Sequence, residues 1–338
     1  MPFTAITGHS HLHELLARAA SRGSLPPSLI FAGPDGVGKF KTAIALAQVL
    51  NCLALPPASL AAPVTDACGV CTSCRRIERG VHADVLVVTP GDTGAIKLEQ
   101  VREAIDRTAY RPFEGRRRVV IIDGADALAA PAQDALLKTL EEPPPASVFV
   151  LVTARPDVLL PTVRSRCQRL RFGRLAPAEV AAVLMADHDF TEASAFAAAS
   201  LSDGSVGAAL EEGSEGFVDA RDAAVGLLQA VAVSADPRRR LQGAKALGGA
   251  ARGSSEREAL SRRLHALSSI LRDLGVLLSR ADDDSLANAD LRPLLEGLLP
   301  SFDGERALRA FSAVDRAQNA LERNASPKIV ADWLAFQI

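Results

Sequence analysis

The sequence predicts an α/β domain built on a parallel sheet with a phosphate-type loop, followed by an all-helical remainder. Three observations carry this expectation. Between Ser28 and Phe172, short β-rich runs alternate with helical patterns, as in a sheet covered on both faces. The first run leads into the glycine-rich stretch GPDGVGKF, Gly33 to Phe40, and then into a helical pattern. From about Gly173 the β signal stops, and Ala, Leu, Glu and Arg dominate to the end.

Taken in order, the runs are SLIFA (28–32), DVLVV (84–88), RVVIID (118–123), SVFVLV (147–152) and QRLRF (168–172). β-branched and aromatic residues suit a pleated, buried strand. After the glycine loop, FKTAIALAQVL places Ile44, Ala47 and Val49 where a helix can pack on the sheet. PPASLAAPVTD (56–66) reads as a flexible surface loop, and no internal repeat is visible. In the second half, REALSRRLHALSSILRDLGVLL repeats its apolar residues at three and four residue intervals, the period of an amphipathic helix. Three parts are expected: a nucleotide-binding-like base at 1–172, a short helical segment at 173–212, and a larger helical domain at 213–338. The glycine-bearing stretch DGSVGAALEEGSEG holds the junction of the last two.

A chain of 338 residues with 48% hydrophobic content has material for more than one core. Its 38 basic and 40 acidic side chains nearly cancel, so the molecule as a whole is not an electrostatic trap for nucleic acid. A free-standing zinc-dependent nucleic-acid module is disfavoured on the same ground. The start, MPFTAITGHSHLHELL, lacks a basic region followed by an apolar run, and no stretch reaches the roughly 18 apolar residues of a membrane span. A cytoplasmic protein without membrane contact is expected. Five cysteines in such a compartment point to metal binding or buried thiols.

Gly33, Gly36, Gly38 and Lys39 can aim backbone amides and one ammonium at a phosphate. The pattern GxxxxGK[ST] ends in a hydroxyl that holds magnesium. Phe40 stands there instead, and Lys41 and Thr42 come too late to replace it. The third run ends in Asp123, and the next position, where an acidic general base is needed, is Gly124. Asp126 reads as an ordinary helix-start acid. The loop therefore keeps its shape without the groups for magnesium-dependent hydrolysis. Nucleotide binding without turnover stays open, and magnesium is not expected.

Cys68, Cys71 and Cys74 follow a C-x2-C-x2-C spacing, with Cys52 upstream at the end of the predicted helix. Four thiolates fill a tetrahedral zinc site, which makes it structural because no position is left for water. The same ligand set also suits an iron–sulfur cluster. Cys167 lies outside the group and reads as core. Beside it, Arg166 is either a surface arginine or one that reaches a neighbouring subunit's nucleotide. Arg111, Arg116, Arg117 and Arg118 crowd the approach to the third run, with Lys97 and Arg102 on the preceding helix. They read as a solvated face, with contact to a DNA backbone as the sharper possibility.

FAGPDGVGKFKTA, CGVCTSC, RPFEGRRRVVIIDGADAL, ALLKTLEEPPPASVFVLVTARPDVLLPTVRSRC and NASPKIVADWLAFQI together resemble the δ′ subunits of bacterial DNA polymerase III clamp loaders. The resemblance is strongest over 24–173 and more diffuse beyond. It implies an AAA+ base domain with an inserted zinc module at about 52–80, a helical lid and a helical collar. It also implies a non-hydrolysing stator that joins δ and γ/τ subunits in a hetero-pentameric ring. Sliding clamp and primer-template DNA are then met through that assembly. By position, Arg166 resembles the finger that completes a motor subunit's ATP site, Thr153 the polar sensor, and Cys52, Cys68, Cys71 and Cys74 the zinc ligands. GSVGAAL (204–210) contains no basic residue where motor subunits carry a nucleotide-contacting arginine, and Ala208 lies in that stretch. The competing expectation is an ATP-hydrolysing AAA+ motor, a γ/τ-type subunit or a branch-migration helicase. The glycine loop favours it, while Phe40, Gly124 and Ala208 oppose it.

Overall fold

The computed structural model describes residues 1–56, 66–91, 94–212, 214–233, 236–248, 254–279, 286–323 and 325–338. Most of the loop expected at 56–66 lies outside the described residues. The chain divides into two compact units, Met1–Leu175 and Ala176–Ile338.

The first unit runs α1 (Ser10–Arg22), β1 (Ser28–Ala32), α2 (Lys39–Asn51), α3 (Thr72–Glu78), β2 (Val85–Val88), α4 (Leu98–Thr108), β3 (Arg118–Asp123), α5 (Ala130–Glu141), β4 (Ser147–Thr153), α6 (Pro161–Arg164) and β5 (Gln168–Arg171). Its five strands form one sheet in the order β2-β3-β4-β1-β5, and every pairing is parallel. Each expected β run falls on a strand, to within one residue at either end. Side-chain alternation divides the core into two layers. Leu29, Phe31, Val119, Ile121, Val148 and Val150 pack with residues of α1 and α2. Ile30, Val120, Ile122, Phe149 and Leu151 face the other way, onto residues of α4 and α5. Helix α2 is buried on nearly every side, including Thr42, Ala43, Leu46, Ala47, Gln48 and Asn51, so it is a core element rather than a surface amphipathic helix.

The second unit consists of α7 (Pro177–Asp187), α8 (Glu192–Leu201), α9 (Val206–Glu212), α10 (Ser214–Val233), α11 (Pro237–Gly248), α12 (Ser254–Leu278), α13 (Arg292–Leu298), α14 (Gly304–Glu322) and α15 (Pro327–Gln337). The stretch expected to hold a junction, DGSVGAALEEGSEG, covers the turn before α9, α9 itself and the start of α10, with residue 213 outside the described range. Leu227, Leu228, Leu264, Leu267, Ile270 and Leu274 supply the core where α10 and α12 meet. Among the described residues no helix is long and apolar enough to cross a membrane.

At the lower edge of the sheet, where the strands begin, a polar knot sets the level of β2 and β3. Asp84 has no exposed surface. Its carboxylate accepts the amides of Phe113, Glu114 and Gly115 at 2.7–2.8 Å and the Arg118 guanidinium at 2.7 Å. Arg118 is buried and also donates to the carbonyls of Arg107, Tyr110 and Arg111. It is therefore a structural cation and leaves the solvated basic face the sequence suggested. Asn51 completes the knot by accepting the amides of Arg116 and Arg117 at 2.8 and 2.9 Å. A side chain at Gly115 would meet Asn51 Oδ1 at 2.5 Å, so only glycine fits there.

Burial works to raise the Asp84 pKa, but Arg118 and then the three amides outweigh it and bring it down to about 2. A depressed carboxyl pKa stabilises the fold above the unfolded value near 4, and that contribution is lost as pH falls from about 4 through about 2. Asp84→Asn strands a buried guanidinium and is expected to cost about 3–5 kcal/mol. In urea unfolding followed by circular dichroism, the transition of the first unit should move to lower urea. The fluorescence of Trp333, in the helical unit, serves as the internal comparison.

Candidate functional site

The phosphate-type loop leaves β1 at Ala32 and enters α2 at Lys39. Its glycines are used for specific reasons. A Cβ on Gly33 would lie 2.2 Å from the Phe172 carbonyl oxygen, while Gly36 and Gly38 have φ of +71° and +96°, the left-handed region that L side chains avoid. Lys39 is only 5% exposed. Its Nζ donates to the carbonyls of Gly33 and Pro34 and to Asp35 at 3.4 Å. Burial lowers its pKa, with Asp35, Asp123 and Asp126 acting in the opposite direction. Phe40 is 37% exposed, so its ring is not a packing residue of the core. No side-chain oxygen occupies that position on the first turn of α2.

The acidic edge of the site is formed by the ends of β3 and β4. Asp123 ends β3, and burial raises its pKa. Gly124 has φ of +72°, and a Cβ there would lie 3.2 Å from Pro90 Cγ. A glutamate at this position would be strained in backbone and tight against Pro90. Asp126 lies in a 3-10 turn, Ala125–Ala127, rather than at a regular helix start. Its Oδ1 accepts the Thr153 hydroxyl at 3.0 Å, and its Oδ2 accepts Arg155 Nε and Nη2 at 3.0 and 2.9 Å. Burial works to raise the Asp126 pKa, but Arg155 and then Thr153 outweigh it and hold it below its ordinary value. The Thr153 oxygen also accepts the Arg155 amide at 3.0 Å. The polar residue ending β4 is therefore engaged inside the chain.

The four cysteines converge through α2 and α3. Cys52 follows the last residue of α2, Cys71 caps α3, and Cys74 sits in its first turn. Their sulfur atoms all lie within 4.8 Å of one another. Tetrahedral thiolates at about 2.3 Å from zinc would stand about 3.8 Å apart, so the group is sized for one ion. Amides of Cys68, Cys71 and Cys74 donate to the preceding sulfurs at 3.3–3.5 Å, an arrangement that favours thiolate. For Cys71, burial acts upward, but the amides of Cys74 and Leu53 outweigh it and lower the pKa to about 6. Burial and its thiol neighbours raise that of Cys74. The cluster can hold a metal ion. Cys167 is apart from it, buried, with its pKa pushed up to about 12 by burial.

Arg166 lies between α6 and β5. It donates to the Thr162 carbonyl at 3.1 Å and pairs with Glu141 at 3.4 Å, its side chain one-third exposed. Gln168 is level with Leu29 at the start of β1, whereas the phosphate-type loop leaves the other end of that strand. More than about 10 Å of strand separates the two positions. The fold thus gathers Gly33, Gly36, Gly38, Lys39, Asp123 and Thr153 on one edge of the sheet and places the cysteines and Arg166 elsewhere. Arg116 and Arg117 donate to backbone carbonyls of Leu55, Pro56 and Pro145, which gives them structural work at the opposite edge.

Sequence reasoning missed the Asp126–Arg155 pair, because its partners lie on different strand ends. The Asp84–Arg118 knot had a readable signal. Asp84 precedes VLVV, Arg118 opens RVVIID, and Val85 is level with Val119.

The family model described as "DNA polymerase III, delta subunit" matches residues 8–176, half of the chain. The DNA polymerase III γ/τ subunit of Mycobacterium tuberculosis is 34% identical over 182 residues, which cover 54% of this chain and 30% of that protein. The τ subunit of Escherichia coli is 38% identical over 165 residues, 49% of this chain and 24% of that protein. The chain thus spans less than a third of the length of these curated relatives. A solved γ-subunit-related protein of DNA polymerase III from Thermotoga maritima aligns over 95% of this chain and 96% of its own, at 18% identity and a TM-score of 0.40.

Asp126→Ala removes the acceptor of both Thr153 and Arg155, and a loss of about 1–2 kcal/mol is expected in thermal or urea unfolding. Asp126→Asn keeps an acceptor for Thr153 and should cost less. Because the Asp126 pKa is depressed, its contribution should fade below the usual carboxylate range, and the gap between wild type and Asp126→Asn should narrow at acid pH.

Proposed function

Because the chain belongs to the DNA polymerase III delta-subunit family, we propose that it is the non-hydrolysing δ′ stator of a clamp loader. The observation that carries this reading is the paired loss on one sheet edge. Phe40 offers no oxygen for magnesium, and Gly124 occupies a left-handed backbone position where an acidic side chain would be strained. In this reading the base is an AAA+ domain at 1–172, and the helical remainder supplies a lid at 173–212 and a collar at 213–338. The collar holds the chain in a hetero-pentameric ring with δ and γ/τ subunits. The ring, not this chain alone, meets sliding clamp and primed DNA. In this reading the phosphate-type loop is kept for its shape, without the groups that would turn a nucleotide over.

Two further roles belong to the proposal. Arg166, too far from its own phosphate-type loop to serve it, would complete the ATP site of a neighbouring motor subunit. Its guanidinium would leave Glu141 and stabilise charge on the transferring phosphoryl group. Cys52, Cys68, Cys71 and Cys74 would hold structural zinc, which closes the module rather than performing chemistry.

A second reading, an ATP-hydrolysing motor of the γ/τ type, draws on the intact Gly33–Lys39 loop and on the identity to γ/τ subunits. Phosphate release by the purified chain, with and without primed DNA, separates the two. No turnover is expected, for the wild type or for Phe40→Ser, because the serine restores a magnesium ligand but not a base. Turnover near one per second, abolished by Lys39→Ala, would establish the motor reading instead.

Arg166→Ala is expected to leave the chain folded, at a cost below about 1 kcal/mol for a half-exposed ion pair. In a reconstituted assembly it should lower clamp- and DNA-stimulated ATPase, with the affected site losing on the order of a thousandfold. Arg166→Lys should rescue poorly, since a point ammonium lacks the two-pronged planar contact. An intact ring with unchanged turnover would remove the role.

Metal analysis of protein purified without chelator should find about one zinc per chain. Cys71→Ser should lower that content. Iron with visible absorption would replace zinc with an iron–sulfur cluster.

A further inference from the structure

The cysteine cluster and the phosphate-type loop lie at opposite ends of one helix. α2 begins at Lys39 inside the loop and ends at Asn51, directly before the ligand-type residue Cys52. Near that end the fully buried Gln48 donates to the Cys74 carbonyl at 2.8 Å.

A second connection runs outside the helix. Asp66, two residues before Cys68, accepts the amides of Phe3 and Thr4 at 3.1 and 2.8 Å. The Phe3 ring is buried and stacks on His13, centroids 5.1 Å apart and planes 15° from parallel. His13 shares a hydrogen bond of 3.1 Å with the Thr42 hydroxyl on the first turn of α2, and both side chains are buried. Between these points, His9 Nε2 donates to the Val37 carbonyl at 3.0 Å, inside the loop. Ile6 lies 3.9 Å from the Cβ position of Gly38.

We infer that residues 3–13 form a tie that transmits the state of the cysteine module to the phosphate-type loop, so that metal in the cysteines sets how rigidly the loop amides are held. The cysteine-bearing segment positions Asp66, Asp66 positions Phe3, and Phe3 with His13 positions Thr42 and the first turn of α2. The loop amides that would meet a phosphate therefore depend on both ends of α2 and on a strap across it that is anchored by the buried Phe3 and His13. This would let a structural metal regulate an anion site it does not touch. The inference rests on the reading of the four cysteines as a metal centre.

The test is amide hydrogen exchange on the full chain, zinc-loaded and chelator-stripped, with metal content measured on both samples. In the wild type, stripping should speed exchange in the cysteine module at 66–80 and, by about tenfold or more, at 36–44 in the loop. Asp66→Ala removes the acceptor for Phe3 and Thr4. In that variant the module should still respond to zinc, while the loop exchanges fast in both states. Thr42→Val cuts the tie at its other end, leaves the module contacts in place, and should uncouple the loop in the same way. Loop exchange indifferent to zinc in the wild type would overturn the inference, as would a loop that still follows zinc in both variants. If no metal is taken up, the metal-centre reading fails by itself. The tie is then judged on Asp66→Ala alone, and loop exchange equal to wild type would overturn it.

Discussion

The burial of α2 is the constraint on which the rest of the first unit depends. A helix whose side chains are enclosed on nearly every side cannot shift to suit a ligand without disturbing the sheet beneath it. Its body is therefore the frame to which both ends are attached. At one end stand Gly38 and Lys39; at the other, Asn51 anchors the turn before β3, and Cys52 joins the cysteine cluster. The small residues Ala43, Ala45 and Ala47 allow this enclosure, because they let the helix backbone approach β3 and β4 closely. Phosphate-type loop, cysteine module and lower polar knot are thus three attachments to one rod.

Against that rod, the acidic edge is tied together by its own hydrogen bonds and packing. Asp126 holds both the Thr153 hydroxyl and Arg155, so an oxygen that could report on a ligand is committed within the chain. Gly124 turns through the left-handed region against Pro90. These are positive features with their own bonds and packing, which is more than the absence of two functional groups. They agree with the proposed stator, a part whose use lies in holding its shape while neighbours cycle.

The fold was legible because its elements are strongly patterned. SLIFA, RVVIID and SVFVLV are β-rich runs flanked by turn chemistry, and each is a strand within one residue. The long amphipathic pattern ending at Leu278 is α12. Cysteine spacing was equally legible, since a C-x2-C-x2-C run has few uses other than gathering thiols. Less legible was the work of individual charges. Arg118 looked like one member of a basic surface cluster, yet it is buried against Asp84. Asp126 looked like a helix-start acid, yet it joins two strand ends.

The sequence by itself determined the alternation of strands and helices, the glycine loop with its phenylalanine, the missing base and the grouping of cysteines. All of these are local, set by propensity, periodicity and spacing within a few residues. Tertiary structure decided which charges are partners and which ends of the sheet they occupy. It put Arg166 at the far end of the sheet from its own loop, wound residues 3–13 between the cysteine module and α2, and drew Asp84 under the turn at 113–115. The physical reason is that a hydrogen bond or ion pair depends on distances of about 3 Å between atoms far apart in the chain, and those distances exist only once the parallel sheet has fixed its register.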